Sequence, residues 1–466
     1  MKRAISLILV ALMMLLAVPA FSVAAADGTA KSDYVVYLNG TAGADANDGK
    51  TAATAVATLA KAVEVANSYA GAAEVVVVVT GETPIPEAQY VLPDNAATIV
   101  ITSVYDGTDY KAQGALFVTH DSNCAAIHFN GDFTFEYVTI KTTNANSIFA
   151  FQYNSFTAGN GIDFVTVKSE TSPTSYPILL IGCNTQGGVP NDKAINPTTF
   201  TEDVNIVVNS GTWAYIRGGD RDSYSTFDGK MTIDINGGTF LCPVTSATGH
   251  YTSGNINGPT GKCSYGPNAK IVMNLNGGEM NSLIGCAYVA SNSGHTSAAD
   301  ITININDGFT LTNKFVAVQS TNTVFNGKLT VNIYGGDLSG LVESKLLNAS
   351  VANGGTGTVT VNHNANDAKS AAAFKALKDV CLDDTDVIYG ELAAEVVDTT
   401  AATVDTTAAV VDTTVAVVDT TAAVVDTTAA TGEVTPPTGD ASLMVVFAAA
   451  AVLCAAAVIV IKKREN

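Results

Sequence analysis

The chain has 466 residues, 47% of them hydrophobic, and carries 43 acidic against 23 basic side chains for a net charge of -20. That balance argues against nucleic acid and anionic lipid as partners, because both demand basic patches. Seven cysteines, at 124, 183, 242, 263, 286, 381 and 454, form no Cys-x-x-Cys pair and keep no regular relation to the five histidines, so no zinc site is expected. Cys242 and Cys263 are either a disulfide across neighbouring coils or stacked core thiols.

Residues 1–26 begin with Lys2 and Arg3, continue from Ile5 to Val18 as a nearly unbroken apolar run, and end in Ala24-Ala-Ala26. Charge, hydrophobic core and a small-residue cleavage site at Ala24 and Ala26 make a secretory signal peptide. Tyr34-Val-Val-Tyr37 predicts a strand and Asp45-Ala-Asn-Asp-Gly49 a turn. As an EF-type calcium loop the turn would need a glutamate eleven residues after its first Asp, where Val56 stands. Calcium is therefore at most an option, and no other cofactor is expected. From Thr58 to Asn67, Leu59, Ala62, Val63 and Ala66 share one face, the spacing of a short amphipathic helix. An apolar strand, Glu74 to Thr80, follows.

Less regular strands run from Thr98 to Ile181, and then one pattern recurs. Its copies are Val204-Asn-Ile-Val-Val-Asn-Ser-Gly211, Met231-Thr-Ile-Asp-Ile-Asn-Gly-Gly238, Ile271-Val-Met-Asn-Leu-Asn-Gly-Gly278, Ile301-Thr-Ile-Asn-Ile-Asn-Asp-Gly308 and Leu329-Thr-Val-Asn-Ile-Tyr-Gly-Gly336, with a sixth at Val359-Thr-Val-Asn-His363. Alternation with a period of two is a strand with one buried face, and the closing glycine supplies the positive φ of a sharp corner. Successive corners are 27, 40, 30 and 28 residues apart, the length of one coil of a parallel β-helix. The interval 75–365 then holds about 11 coils, a rod on the order of 50 Å long. Stacking sets Asp234, Asn274, Asn304 and Asn332 above one another, either as a hydrogen-bonded ladder or as separately solvated side chains. A solenoid must cover its apolar ends. Thr58 to Asn67 and Ala371 to Val380 are the expected capping helices, so residues 27–394 form one all-β domain.

Residues 395–434 shift to Val-Asp-Thr-Thr heptads starting at Val397, Val404, Val411, Val418 and Val425. Paired threonines and the lack of opposite charges argue against a coiled coil and for an extended stalk. Residues 435–466 hold Thr435-Pro436-Pro437-Thr438-Gly439, an apolar stretch from Ala441 to Ile461 long enough to cross a bilayer as one helix, and the basic Lys462-Lys-Arg464.

Tyr34 to Asn39, the Asn-Asp-Gly turn, Thr-Leu-Ala-Lys-Ala and the strand after it resemble the opening of pectate-lyase-like, right-handed parallel β-helix proteins of bacterial surfaces. Gly-Thr-Trp-Ala-Tyr-Ile-Arg-Gly-Gly219 and Asn-Gly-Gly-Thr-Phe240 resemble their glycine-cornered coils, so the likeness spans Tyr34 to Val380. The C-terminal order of motif, apolar helix and basic tail resembles the sorting signal read by sortases. That resemblance implies cleavage between Thr438 and Gly439, a sortase and cell-wall peptidoglycan as partners, and a Gram-positive-type surface. The family's usual Leu is Thr435 here, which leaves retention in the membrane as the other possibility.

The β-helix resemblance also raises polysaccharide lyase and glycoside hydrolase activity, but a fold does not assign an activity. A lyase needs a basic group beside calcium-binding carboxylates, and Arg217-Gly-Gly-Asp220-Arg221-Asp222 is the one run that offers both, although it equally reads as a structural corner whose Asp and Arg side chains pair with each other. The paired-Asp, Gly-His-Gly and Arg-x-Lys motifs of β-helix pectin hydrolases have no match, and His250 and His295 lie in loops without a defined partner. Tyr215, Tyr224, Tyr251, Tyr265 and Tyr288 recur near the corners and would make sugar platforms, or else pack loops onto the rod. The expected function is a surface-anchored adhesin or glycan-binding structural protein without catalysis. An anchored lyase or hydrolase is the alternative.

Overall fold

Alternation is obeyed residue by residue: in Lys230–Ile235, Met231, Ile233 and Ile235 are buried while Thr232 and Asp234 are half-exposed. The computed structural model describes residues 32–392 except 145, 168–169, 171, 184–198, 221–224, 246–248, 251–263, 287, 290–294, 319–322 and 347–354. Residues 1–26, where a signal peptide is expected, the heptads and residues 435–466 lie outside the described residues. Among those described, no helix is long and apolar enough to cross a membrane.

The strands stack as a parallel solenoid. Its largest sheet has twelve strands in strict chain order, from Val35–Leu38 through Val204–Val208, Lys230–Ile235, Lys270–Leu275, Asp300–Ile305, Lys328–Ile333 and Thr358–His363 to Ile388–Glu391. All six copies of the repeat fall in this sheet in unbroken register, so that Ile206, Ile233, Met273, Ile303, Val331 and Val361 form one inward column. Each such side chain is worth roughly 1.5–3 kcal/mol of burial. The corner glycines Gly211, Gly238, Gly278, Gly308 and Gly336 all have φ between +83° and +96°. Ten strands of this sheet lie between Glu74 and His363, fewer than the sequence count of about 11, because inserted loops lengthen some coils.

A second sheet, of eleven strands from Gln89–Val91 to Cys381–Asp383, forms the opposite wall. The third wall changes place along the rod. In the early coils it is a four-stranded sheet, Glu82–Pro84, Leu116–Val118, Thr139–Thr142 and Asp163–Thr166, entered after each strand of the large sheet. In the later coils it is a five-stranded sheet, Thr199–Phe200 to Thr323–Phe325, entered just before that strand. Early coils are filled by phenylalanines, with Phe151 stacked on Phe156 at 4.2 Å, and later ones by Ile, Met and Leu.

Both ends are covered. The helix Leu59–Asn67, capped by Thr58, buries the predicted Leu59, Ala62, Val63 and Ala66 beside the first strand. The helix Ala368–Asp379 starts three residues before the expected Ala371, because the Asp367 carboxylate accepts from the N–H groups of Lys369 and Ser370. Its Ser370 hydroxyl donates to the Ile333 carbonyl, and Phe374 stacks on His363 at 3.8 Å. Cys183 and Cys286 are buried in the core. Cys263, the expected partner or stacking neighbour of Cys242, lies outside the described residues.

Candidate functional site

The arginine-rich corner is built into the wall. Asp220 is fully buried, and its carboxylate accepts from Cys183 N at 2.7 Å, from Ser225 N at 3.2 Å and from the Ser225 hydroxyl. It sits so close to the neighbouring coil that a Cβ on Gly182 would lie 2.3 Å from its Oδ1. Arg217 is buried too, its guanidinium 4.8 Å from the centre of the Tyr215 ring. Of the two uses the sequence leaves open for this corner, the structural one describes Asp220, which ties its coil to Cys183 of the coil before, while Arg217 lies against Tyr215 of its own strand. Arg221 and Asp222 lie outside the described residues.

The tyrosines do not form a common platform. Tyr265 is buried, and its hydroxyl donates to the Gly218 carbonyl, so at this position the packing alternative holds. Tyr215 is half-buried against Arg217. Tyr224 and Tyr251 lie outside the described residues, and for Tyr288 only the backbone strand Tyr288–Val289 is described. The Asp45–Gly49 run is a turn whose carboxylates serve the chain itself: Asp45 accepts from Ala57 N, Thr58 N and the Thr58 hydroxyl, each at 2.9 Å. Asp48 accepts from the Thr54 hydroxyl at 2.7 Å, which holds its carboxyl below the usual range. Among the described residues no group of three His, Cys, Asp or Glu is placed to hold a metal ion.

Two other features are open to solvent. The first is a groove of about 520 Å³ at the point where the third wall changes place. Three residues separate Val208 from Thr212, where nineteen separate Ala158 from Ile178, so the later coil has no strand to continue the four-stranded sheet beyond Asp163–Thr166. One side is Asp163, Phe164, Glu170 and Tyr176; the other is Asn209, Ser210, Thr212 and Thr239, over the bare corners Gly211 and Gly238. Phe164 stands edge-on to Trp213 at 5.1 Å and to Tyr176 at 5.7 Å. Lys111 pairs with Asp163, and burial pushes the Tyr176 phenol up.

The second is the outward face of the twelve-stranded sheet. Asn274 donates to Asp234 at 2.7 Å, Asn304 to Asn274 at 2.7 Å, Asn332 to Asn304 at 2.9 Å and Asn362 to Asn332 at 2.9 Å. These side chains are both partly solvated and laddered, so the two sequence alternatives hold together. A second ladder, Asn306 to Asn276 to Asn236 to Asn209, runs beside it at 2.7, 2.8 and 2.9 Å. The sequence reading missed this second ladder and the groove. The last Asn of each copy, and the sudden shortening between sheet strand and corner, were the signals for them.

No family model, curated protein or solved structure matches this chain.

Proposed function

We propose that the protein is an exported, surface-anchored rod, wound as a right-handed parallel β-helix, that binds glycan without turning it over. The groove beside Asp163–Thr166 carries this reading. It has the volume of a small-ligand site and combines the half-buried Phe164 ring, backed by the buried Tyr176, with carboxylate, amide and hydroxyl groups, the chemistry that holds a pyranose ring and its hydroxyls. The leader at 1–26, the heptads at 395–434, and Thr435 to Gly439 before an apolar stretch and basic tail support export, a stalk, and linkage to peptidoglycan by a sortase.

Hydrolysis is the second reading, because Asp163 and Glu170 both border the groove. Against it, Asp163 is already held by Lys111. The full-length chain, purified in detergent, is screened against plant, mucin and bacterial polysaccharides for unsaturated products, new reducing ends and retention. Retention without products, lost when Thr239→Trp fills the groove, is the expected result. Products abolished by Glu170→Gln would replace binding with hydrolysis.

A further inference from the structure

Among the described residues, the outward face of the twelve-stranded sheet stays open to solvent where the repeats lie. In the middle of the eleven-stranded sheet the outward side chains His128, Ala150, Leu180, Arg217, Ile284 and Val316 are buried, and only toward the ends of that column do Val91 and Lys345 reach solvent. Near the start of the large sheet, outward Val76, Val78 and Val100 are covered by the hairpin Val104–Tyr105 and Thr108–Asp109. From Lys230–Ile235 to Thr358–His363 every outward position remains partly or fully exposed.

What this face offers is regular and already ordered. A ladder amide spends one N–H and one lone pair on its neighbours and keeps one of each for a ligand. The rungs repeat every ~4.8 Å, and side chains fixed by the ladder lose little further freedom on binding. The flanking column carries Lys230, Lys270, Asp300 and Lys328, so charge on the face nearly cancels within a chain of net charge -20. A complementary partner is therefore extended, close to neutral, and supplied with a donor and an acceptor at each short repeat.

One residue breaks the pattern. Tyr334 stands where another Asn would extend the second ladder: its N–H donates to the Ile305 carbonyl at 2.8 Å, as the N–H of Asn306 does to Leu275. The substitution forgoes a rung, and the ring is 46% exposed. An exposed aromatic ring at the end of a polar array is a platform for the apolar face of a sugar.

We propose that this face binds an extended β-linked N-acetylhexosamine chain lying along the solenoid axis. Its acetamido groups continue the amide hydrogen bonding of the ladders, and one of its rings stacks on Tyr334. This surface is separate from the groove and takes a polymer rather than a single ring. A chitin-type chain, neutral throughout, meets this requirement, whereas a peptide-free wall glycan strand carries a carboxylate on every second sugar.

The test titrates the full-length chain in detergent with hexamers of β-linked N-acetylglucosamine, glucose hexamers of the same linkage, and peptide-free wall glycan strands. The N-acetylated hexamer is expected to bind at least about tenfold tighter than the glucose hexamer, with Tyr334→Ala losing about tenfold and Tyr334→Trp retaining affinity, all at unchanged melting temperature. The hexamer is expected to bind more tightly than the anionic wall strands, and wall strands binding as well as the hexamer would overturn the chitin-type assignment. Equal affinity for the two hexamers, or no effect of Tyr334→Ala, overturns the proposal. If Thr239→Trp abolishes binding while Tyr334→Ala does not, the groove does the work and only this inference falls. Absence of binding to any glycan removes the groove reading as well.

Discussion

Asn304 stands on Asn274 in the register of adjacent strands and donates to its carbonyl across 2.7 Å, while accepting from Asn332 at 2.9 Å. Asn304→Ala removes both bonds in the middle of the ladder and is expected to cost about 1–2 kcal/mol. Asn304→Asp keeps an acceptor for Asn332 but sets a carboxylate against the Asn274 carbonyl, and should cost at least as much. Asp234→Asn, at the end of the ladder, preserves the acceptor for Asn274 and should stay within about 0.5 kcal/mol of wild type. Thermal unfolding of the three variants checks the order.

Gly278 and Gly71 separate two ways in which a glycine is required. Both have positive φ, +83° and +76°. A Cβ at Gly278 would meet the Gly238 carbonyl oxygen at 2.6 Å, whereas one at Gly71 meets nothing within 4 Å. Gly71→Ala should cost about 1–2 kcal/mol from backbone strain alone. Gly278→Ala adds a clash between backbones of adjacent coils, and a loss clearly larger than that of Gly71→Ala is expected in the same unfolding assay.

His128 makes stability depend on pH. Its Nε2 faces Gln89 Oε1 at 3.2 Å, its Nδ1 has no hydrogen-bond partner, and burial pushes its pKa down from 6.5 to about 4. Between those values the unfolded chain binds a proton that the folded chain refuses. The contribution is therefore complete above pH 6.5 and is lost as pH falls toward 4, by about 3 kcal/mol in total. Denaturation at pH 7 and pH 4.5 should show a smaller difference for His128→Leu than for wild type.

Asp220 is a structural acceptor. Asp220→Ala strands the N–H groups of Cys183 and Ser225 in a buried corner and should cost about 2–4 kcal/mol. Melting temperature should fall, while glycan retention at permissive temperature is unchanged.

The repeats were legible because each copy states its own rule twice, once in the alternation of Met231 to Ile235 and again in the corner at Gly238. Helix Leu59–Asn67 was legible because four apolar residues mark its face and Thr58 its start. The burial of Tyr265 and Asp220 was not. Both look like surface residues by type, and only the approach of the neighbouring coil, at Gly218 for one and Cys183 for the other, turns them inward. The groove was hidden for a related reason: it arises from a strand absent after Val208, and local pattern reports what is present.

The shared register of the corners has a consequence for how such a molecule changes size. Cutting out residues 279–309 and joining Gly278 to Thr310 would bring Asn332 onto Asn274 and Val331 onto Met273, with Thr310 in the register of Glu279 and Leu311 in that of Met280. Length is thus adjustable in whole coils, by recombination between near-identical segments, without redesign of either end. Variants of different reach should be viable wherever the exchange joins positions that share a register.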